Sequence, residues 1–278
     1  MSTIVFLGGG RITSAMLAGL RLAKSKHRFV VHDRNPSKLR DLSKCYAVAV
    51  EPNLKSAARQ ADVMIVAVRP SAVAELLHAI GMPNRPLLAI SFAAGVPLRI
   101  LTKALGAPVR WARAMPSPVC RSGRGLTGVT FPRTLLRRDR RRVIDLFASF
   151  GQVIEIPESK FDAFTVTYSS SHGYHALAAL AKAGQAAGLD RRLALAASVH
   201  ALADGVIALR EGKHSLESLM KEAATPGGIA ATTMAAIDAS GYGKAVAKGV
   251  RAGLRRARAN RRQCGFTSGR DSRRRKRP

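Results

Sequence analysis

Gly8, Gly9 and Gly10 stand in the stretch IVFLGGGRITSAM, with four apolar residues before them and an amphipathic segment after. Strand, glycine turn, helix is the context in which a chain can wrap a pyrophosphate. Gly8 permits the tight turn and Gly10 lets backbone approach the phosphates. The helix start from Arg11 and Ile12 then offers N–H groups and the positive end of its dipole. Thr13 takes the place where a third glycine would bring helix and strand closest together. A glycine-rich turn that binds nothing is the competing reading.

Asp33 closes the next apolar run and is followed by Arg34, Asn35, Pro36, Ser37 and Lys38. An acid at this place bonds a ribose 2′-hydroxyl and selects NAD; a cationic cluster accommodates a 2′-phosphate and selects NADP. With Arg34 and Lys38 supplying charge and Asn35 and Ser37 hydrogen bonds, NADP is favoured and NAD remains open.

These residues need a scaffold, and the first half of the chain alternates short apolar runs with amphipathic segments. Strands are expected at 3–8, 28–33, 45–50, 62–68, 86–93 and 108–116, with helices between most of them. That alternation implies right-handed crossovers and a parallel sheet covered on both faces. Two further strands, LTGVTF and GQVIEIP, flank an Arg-rich helix and suit a small edge of the sheet. Beyond about Lys160 the strands stop and helical periodicity takes over. Asp190 and Ser215 are placed as N-caps, and Gly188 and Gly212 as C-caps. These later helices are rich in small apolar residues on more than one face, which implies several neighbours and a subunit interface.

The chain has 278 residues, 47% hydrophobic but only 5% aromatic, so its core must be built from Ala, Leu and Val. Every long apolar run is interrupted by charge, which argues against a membrane span. The N-terminus lacks the basic region of a signal peptide. Cys45, Cys120 and Cys264 fit neither a zinc spacing nor a disulfide framework, so a cytoplasmic protein without bound metal is expected. The formal net charge of +29 is partly local: residues 251–278 carry twelve Arg or Lys against Asp271 alone. Such charge bears on solubility and nonspecific polyanion binding rather than on fold.

Several segments together resemble the Δ1-pyrroline-5-carboxylate reductase family. They are FLGGGRITSAMLAGL, VAVRPSAVAELL, LLAISFAAGVPLRIL, RAMPSPVCRSGRG, FDAFTVTYSSSHGYHALAALAKAG and ATPGGIAATTMAAIDASGYGKAV, in family order from about residue 3 to 260. The resemblance implies a Rossmann-type doubly wound parallel sheet (1–159) and a C-terminal all-helical dimerisation domain (160–262); beyond them, turn formers and basic residues without periodicity are expected to form a disordered basic tail (263–278). It also implies hydride transfer from NADPH or NADH to the C=N carbon of a cyclic imino acid, giving proline. Sites would be completed at the interface of a homodimer, or of a ring of dimers. Val68, Arg69 and Pro70 match the cofactor-side strand end, Ala93, Ala94 and Gly95 the turn beside the nicotinamide, and Met115 and Pro116 the segment framing the same ring.

This sequence also departs from the family. Ser117 replaces the Asn after Met-Pro, and the S-G-S-G-P-A-Y stretch has become Tyr168, Ser169, Ser170, Ser171, His172, Gly173 and Tyr174. In the S-P-G-G-T-T stretch, Thr225, Pro226, Gly227 and Gly228 stand, but Ile229 and Ala230 replace both threonines. The second threonine is the one that bonds the substrate's ring nitrogen in the family, and Thr232 or Thr233 compensates only if the helix begins elsewhere. A protonated imine is already electrophilic, so positioning outweighs acid catalysis. Backbone and hydroxyl donors at Thr225–Gly228 are candidates for the substrate carboxylate, with Ser169, Ser170 and Ser171 adding more. His172 and Tyr174 are the candidate proton donors, and His172 is of the side-chain type that changes charge near neutrality. An impaired relative that binds nucleotide, with a tail that holds polyanions weakly, is the alternative.

Overall fold

The structure is a computed structural model describing residues 1–212 and 214–264. Its described residues form two compact units, one of residues 1–166 with 253 onward, the other of residues 167–252.

In the first unit, eight strands form one sheet. They are β1 (Thr3–Leu7), β2 (Arg28–His32), β3 (Ala49–Val50), β4 (Val63–Val66), β5 (Leu87–Ser91), β6 (Val109–Pro116), β7 (Gly125–Thr130) and β8 (Gly151–Glu155). Their spatial order is β3-β2-β1-β4-β5-β6-β7-β8. All neighbours run parallel except β6 and β7, so the two late strands extend the same sheet with its direction reversed at one step. The helices between them are α1 (Arg11–Leu22), α2 (Pro36–Tyr46), α3 (Leu54–Gln60), α4 (Val73–Ile80), α5 (Leu98–Ala104) and α6 (Arg137–Ala148).

Both faces of the sheet are buried because strand side chains alternate. Ile4 and Phe6 of β1 and Val63 and Ile65 of β4 enter one core with α1 and α6; Val5, Leu7, Met64 and Val66 enter the other with α4 and α5. The strand expected over 45–50 shrinks to Ala49–Val50. Cys45 and Tyr46 instead finish α2, whose first turn is fixed by Pro36 and by the Asn35 side chain accepting from Ser37 N–H at 2.9 Å.

α7 (Glu158–Thr167) follows β8. The second unit then holds α8 (Ser171–Ala186), α9 (Arg191–Glu211), α10 (Leu216–Ala223), α11 (Ile229–Ala239) and the start of α12 (Tyr242–Gln263). Asp190 accepts from Arg192 and Leu193 N–H, and Ser215 accepts from Ser218 N–H, so both expected N-caps form. Leu193, Leu195, Val199, Leu202, Val206 and Ile207 of α9 are exposed in the single protomer. Its best 18-residue window has a mean hydropathy of 1.5, so by length and composition alone α9 is apolar enough to cross a bilayer, contrary to the sequence expectation.

The helical domain expected to close at 262 gives up its last stretch. From Gly253 onward α12 packs with the sheet-bearing unit, because Ala257, Asn260 and, just after the helix, Cys264 are buried there. Cys264 therefore belongs to the core rather than to a tail; residues 265–278, where most of the expected basic tail falls, lie outside the described residues. Cys45 is exposed, while burial pushes the Cys120 thiol up to about 11 and that of Cys264 in the same direction.

Candidate functional site

The glycine turn sits at the carboxyl end of β1. Gly8 has φ +116°, and a Cβ there would lie 2.6 Å from the Ala67 carbonyl oxygen. The turn is braced by the acid for which the sequence offers a ribose hydroxyl as the alternative to the cations. Asp33 accepts from Gly9 N–H through Oδ2 at 2.7 Å and from Asn35 N–H through Oδ1 at 2.9 Å. The carboxylate that could have selected a ribose hydroxyl thus ties the β2 end to the glycine turn. Thr13, fully buried, bonds the Gly8 carbonyl through its hydroxyl. It replaces the close packing of a third glycine with a hydrogen bond.

Gly10 N-caps α1 with no side chain, and a Cβ built on it meets nothing within 4 Å. The helix start therefore faces open space, with N–H groups that lack intrahelical partners. That space is part of a cavity of about 630 Å³ whose lining includes Gly8, Gly10, Asp33, Arg34, Lys38 and Val68. Arg34 Nη1 lies 3.6 Å from Glu75 Oε1, and both side chains are exposed, so the contact is weak and easily exchanged for another anion. A phosphate-bearing ligand fits this lining, which joins the free helix-start donors to two cations.

Ala93, Ala94 and Gly95 form the turn after β5, beside the β4 end that carries Val68, Arg69 and Pro70. Met115 and Pro116 end β6, the next strand out. Val68 and Arg69 line the cavity at the glycine turn, whereas Pro70, Ala93, Ala94, Gly95, Met115 and Pro116 do not. Arg113, two residues before Met115, is 1% exposed and forks onto Glu158 (3.0 Å) and Asp162 (3.1 Å), with Phe161 stacked 4.4 Å from its guanidinium. Glu158 Oε1 also accepts from Leu98 N–H. Sequence reading missed this ion cluster.

In the helical unit Thr225–Gly228 form a turn closed by Gly228 N–H donating to the Thr225 carbonyl at 2.9 Å, with Gly227 at φ +73°. Pro and then Gly at the two central positions suit such a turn. α11 begins at Ile229, so Ile229 and Ala230 occupy its exposed first turn. Thr232 and Thr233 donate to the Gly228 and Ile229 carbonyls one turn back, so neither hydroxyl moves to the place the lost threonine held. A second cavity, about 760 Å³, runs along α11 from Gly227 to Tyr242. Pro226 and Thr225 flank it in sequence. Ser169, Ser170 and Ser171 lead into α8 and are exposed; the Ser169 and Ser171 hydroxyls bond each other at 2.7 Å, and His172 N–H donates to the Ser169 carbonyl.

A glycine turn braced by an acid at the open end of a mainly parallel sheet, with two cations in the lining of its cavity, defines a dinucleotide-dependent oxidoreductase. Residues 3–95 match the family model described as NADP oxidoreductase, coenzyme F420-dependent, and residues 158–260 match pyrroline-5-carboxylate reductase dimerisation. The pyrroline-5-carboxylate reductase of Synechocystis sp. is 30% identical over 257 residues, covering 90% of this chain and 95% of that one. That of Mycobacterium leprae is 32% identical over 230 residues, 78% of each chain. The chain belongs to the pyrroline-5-carboxylate reductase family and is an oxidoreductase acting on a C=N bond.

Among solved structures, the enzyme of Streptococcus pyogenes superposes with a TM-score of 0.85 at 23% identity, covering 93% of this chain and 98% of that one. The Plasmodium falciparum pyrroline carboxylate reductase, solved with NADP bound, gives 0.82 at 22%, covering 94% and 98%. Both carry the same fold. The match to a dimerisation model covers α9, whose apolar residues are exposed in the single protomer, and supports a homo-oligomer.

Proposed function

We propose that this protein reduces Δ1-pyrroline-5-carboxylate to proline with NADPH, as a homodimer in the cytoplasm. The carrying observation is the cavity at the glycine turn, whose lining includes Arg34 and Lys38 and in which Asp33 accepts from the Gly9 N–H. In this reading Gly8, Gly9, Gly10, Arg11 and Ile12 present backbone to the pyrophosphate, and Arg34 and Asn35 hold the 2′-phosphate. Val68, Arg69, Pro70, Ala93, Ala94, Gly95, Met115 and Pro116 frame the nicotinamide. The coenzyme supplies a hydride to the imine carbon. Thr225, Pro226, Gly227 and Gly228 hold the substrate carboxylate by the turn and the positive end of α11. Ser169, Ser170 and Ser171 add hydroxyl donors, and His172 holds a proton near the ring nitrogen. Three free cysteines suit a reducing compartment.

The test is loss of nicotinamide absorbance when purified protein, NADPH and pyrroline-5-carboxylate are mixed. Turnover is expected, and NADPH binding without turnover would remove this substrate. Replacing Arg34 and Lys38 together by Ser should raise the KM for NADPH about tenfold and leave that for NADH within twofold, because only the former carries the extra phosphate.

Ala230 bears on substrate choice. With no hydroxyl on the first turn of α11, a substrate ring nitrogen loses one neutral hydrogen bond. Ala230→Thr should therefore raise kcat/KM for pyrroline-5-carboxylate about tenfold. An unchanged or lower value would favour a neighbouring cyclic imine as the natural substrate.

A further inference from the structure

We propose that the end of α12 is a positioning clamp for the nicotinamide end of the coenzyme, acting through Asn260 on the Ala94 turn and through Cys264 on the Pro70 turn. The inference rests on the coenzyme assignment above. In the sheet order β3-β2-β1-β4-β5, a dinucleotide whose phosphates lie at β1 and whose 2′-phosphate lies at β2 must direct its other half toward β4 and β5. The turns at those two strand ends are the ones α12 reaches.

Asn260 is 9% exposed, and its Nδ2 donates to the Ala94 carbonyl at 3.2 Å, across 166 positions of sequence. A peptide unit is planar, so fixing the Ala94 carbonyl also fixes the Gly95 N–H on its opposite side. The neighbouring backbone is held as well: Ser91 Oγ accepts from Ala93 N–H, and the Ala93 carbonyl accepts from Val96 N–H. The N–H groups of Ala94 and Gly95 have no protein partner among the described residues. A carboxamide oxygen is the acceptor such a pair of aimed donors suits.

The approach is close enough to exclude a side chain at Gly95. Gly95 has φ +77°, and a Cβ there would run into the Ala257 backbone. Ala257 and Asn260 lie on one side of the helix, and Cys264, the residue that follows its last turn, donates its N–H to the Asn260 carbonyl at 3.0 Å; all three are buried. The Cys264 thiol donates to the Pro70 carbonyl, at the turn that follows Val68 and Arg69. The helix and the residue after it thus grip a carbonyl in each of two adjacent turns. A polar Asn among apolar neighbours has a partner on the turn it faces, so it is not an unsatisfied core residue.

Affinity for two ligands separates positioning from packing. NADPH carries the nicotinamide; 2′-phospho-ADP-ribose has the same adenosine phosphates without it. Both are titrated onto the wild-type dimer and onto Asn260→Leu, Asn260→Asp, Cys264→Val and Cys264→Ser, by nicotinamide fluorescence and by calorimetry. For Asn260→Leu and Asn260→Asp the Kd for NADPH should rise about tenfold, the equivalent of one lost hydrogen bond, while that for 2′-phospho-ADP-ribose stays within twofold. Cys264→Val should show a smaller rise of the same selectivity, and Cys264→Ser, which keeps a donor, should restore it. Equal weakening of both ligands, or no change for NADPH, overturns the clamp. A wild-type protein that binds NADPH but leaves pyrroline-5-carboxylate unreduced defeats the substrate reading, while the two affinities still decide the clamp.

Discussion

Replacing Gly8 with Ala should weaken NADPH binding about 100-fold while the helical unit keeps its fold. The added Cβ would sit 2.6 Å from the Ala67 carbonyl oxygen, a backbone atom that cannot swing aside, at a φ of +116° that favours glycine. Relief requires the turn to move. Gly8 N–H donates to the His32 carbonyl at 2.8 Å, and Gly9 N–H is held by Asp33, so a displaced turn loses its bracing on the β2 side. Strain of this kind costs about 1–3 kcal/mol, and the upper half of that range matches the stated factor. A fluorescence titration with NADPH measures it, and far-ultraviolet circular dichroism separates local damage from unfolding. An affinity within threefold of wild type would mean that the turn does not hold the phosphates.

Arg113→Met should be the most destabilising single change in the sheet-bearing unit. The guanidinium is 1% exposed, whereas Glu158 and Asp162 keep 33% and 15% of their side-chain surface, so some water screens the carboxylates once it is gone. Removing one partner of a buried pair costs about 3–5 kcal/mol, and the lower end applies here. Arg261, 2.9 Å from Asp162, cannot replace it at Glu158, whose Oε1 also carries the Leu98 N–H. Urea unfolding of the single variant and of Arg113→Met with Asp162→Asn should show strong non-additivity, the double change recovering part of the loss. A loss under about 1 kcal/mol for Arg113→Met would show the cluster to be solvated.

What the sequence made legible follows from periodicity and turn chemistry. Unbroken apolar runs at β1 and β4, set between amphipathic segments, announced a sheet buried on both faces, and Asp190 and Ser215 announced their helices because a cap acts within three residues. Cys45 and Tyr46 misled: an apolar, aromatic run looks like a strand, yet Asn35 and Pro36 had already committed the segment to a helix that runs to Tyr46. For Asp33 the sequence offers a ribose hydroxyl only as the alternative to the favoured cations Arg34 and Lys38. The bonding of its carboxylate to Gly9 depends on how two strand ends meet, which no local pattern encodes. Arg113 with Glu158 and Asp162 was missed for the same reason, since its members lie over forty positions apart. Asn260 left one faint trace, a polar residue in line with Ala257.

The division of α12 has a bearing on how the protein comes into being. Gly95 is packed against Ala257, and the two are separated in the chain by the whole of the helical unit. A ribosome therefore finishes the sheet, then makes every helix of the other unit, before it delivers the piece that seats against the β5 turn. Until then a nascent nucleotide-binding fold has a bare groove where that helix belongs, and is open to proteases and chaperones. Coenzyme present during translation could not be gripped at its reactive end until that late segment arrives.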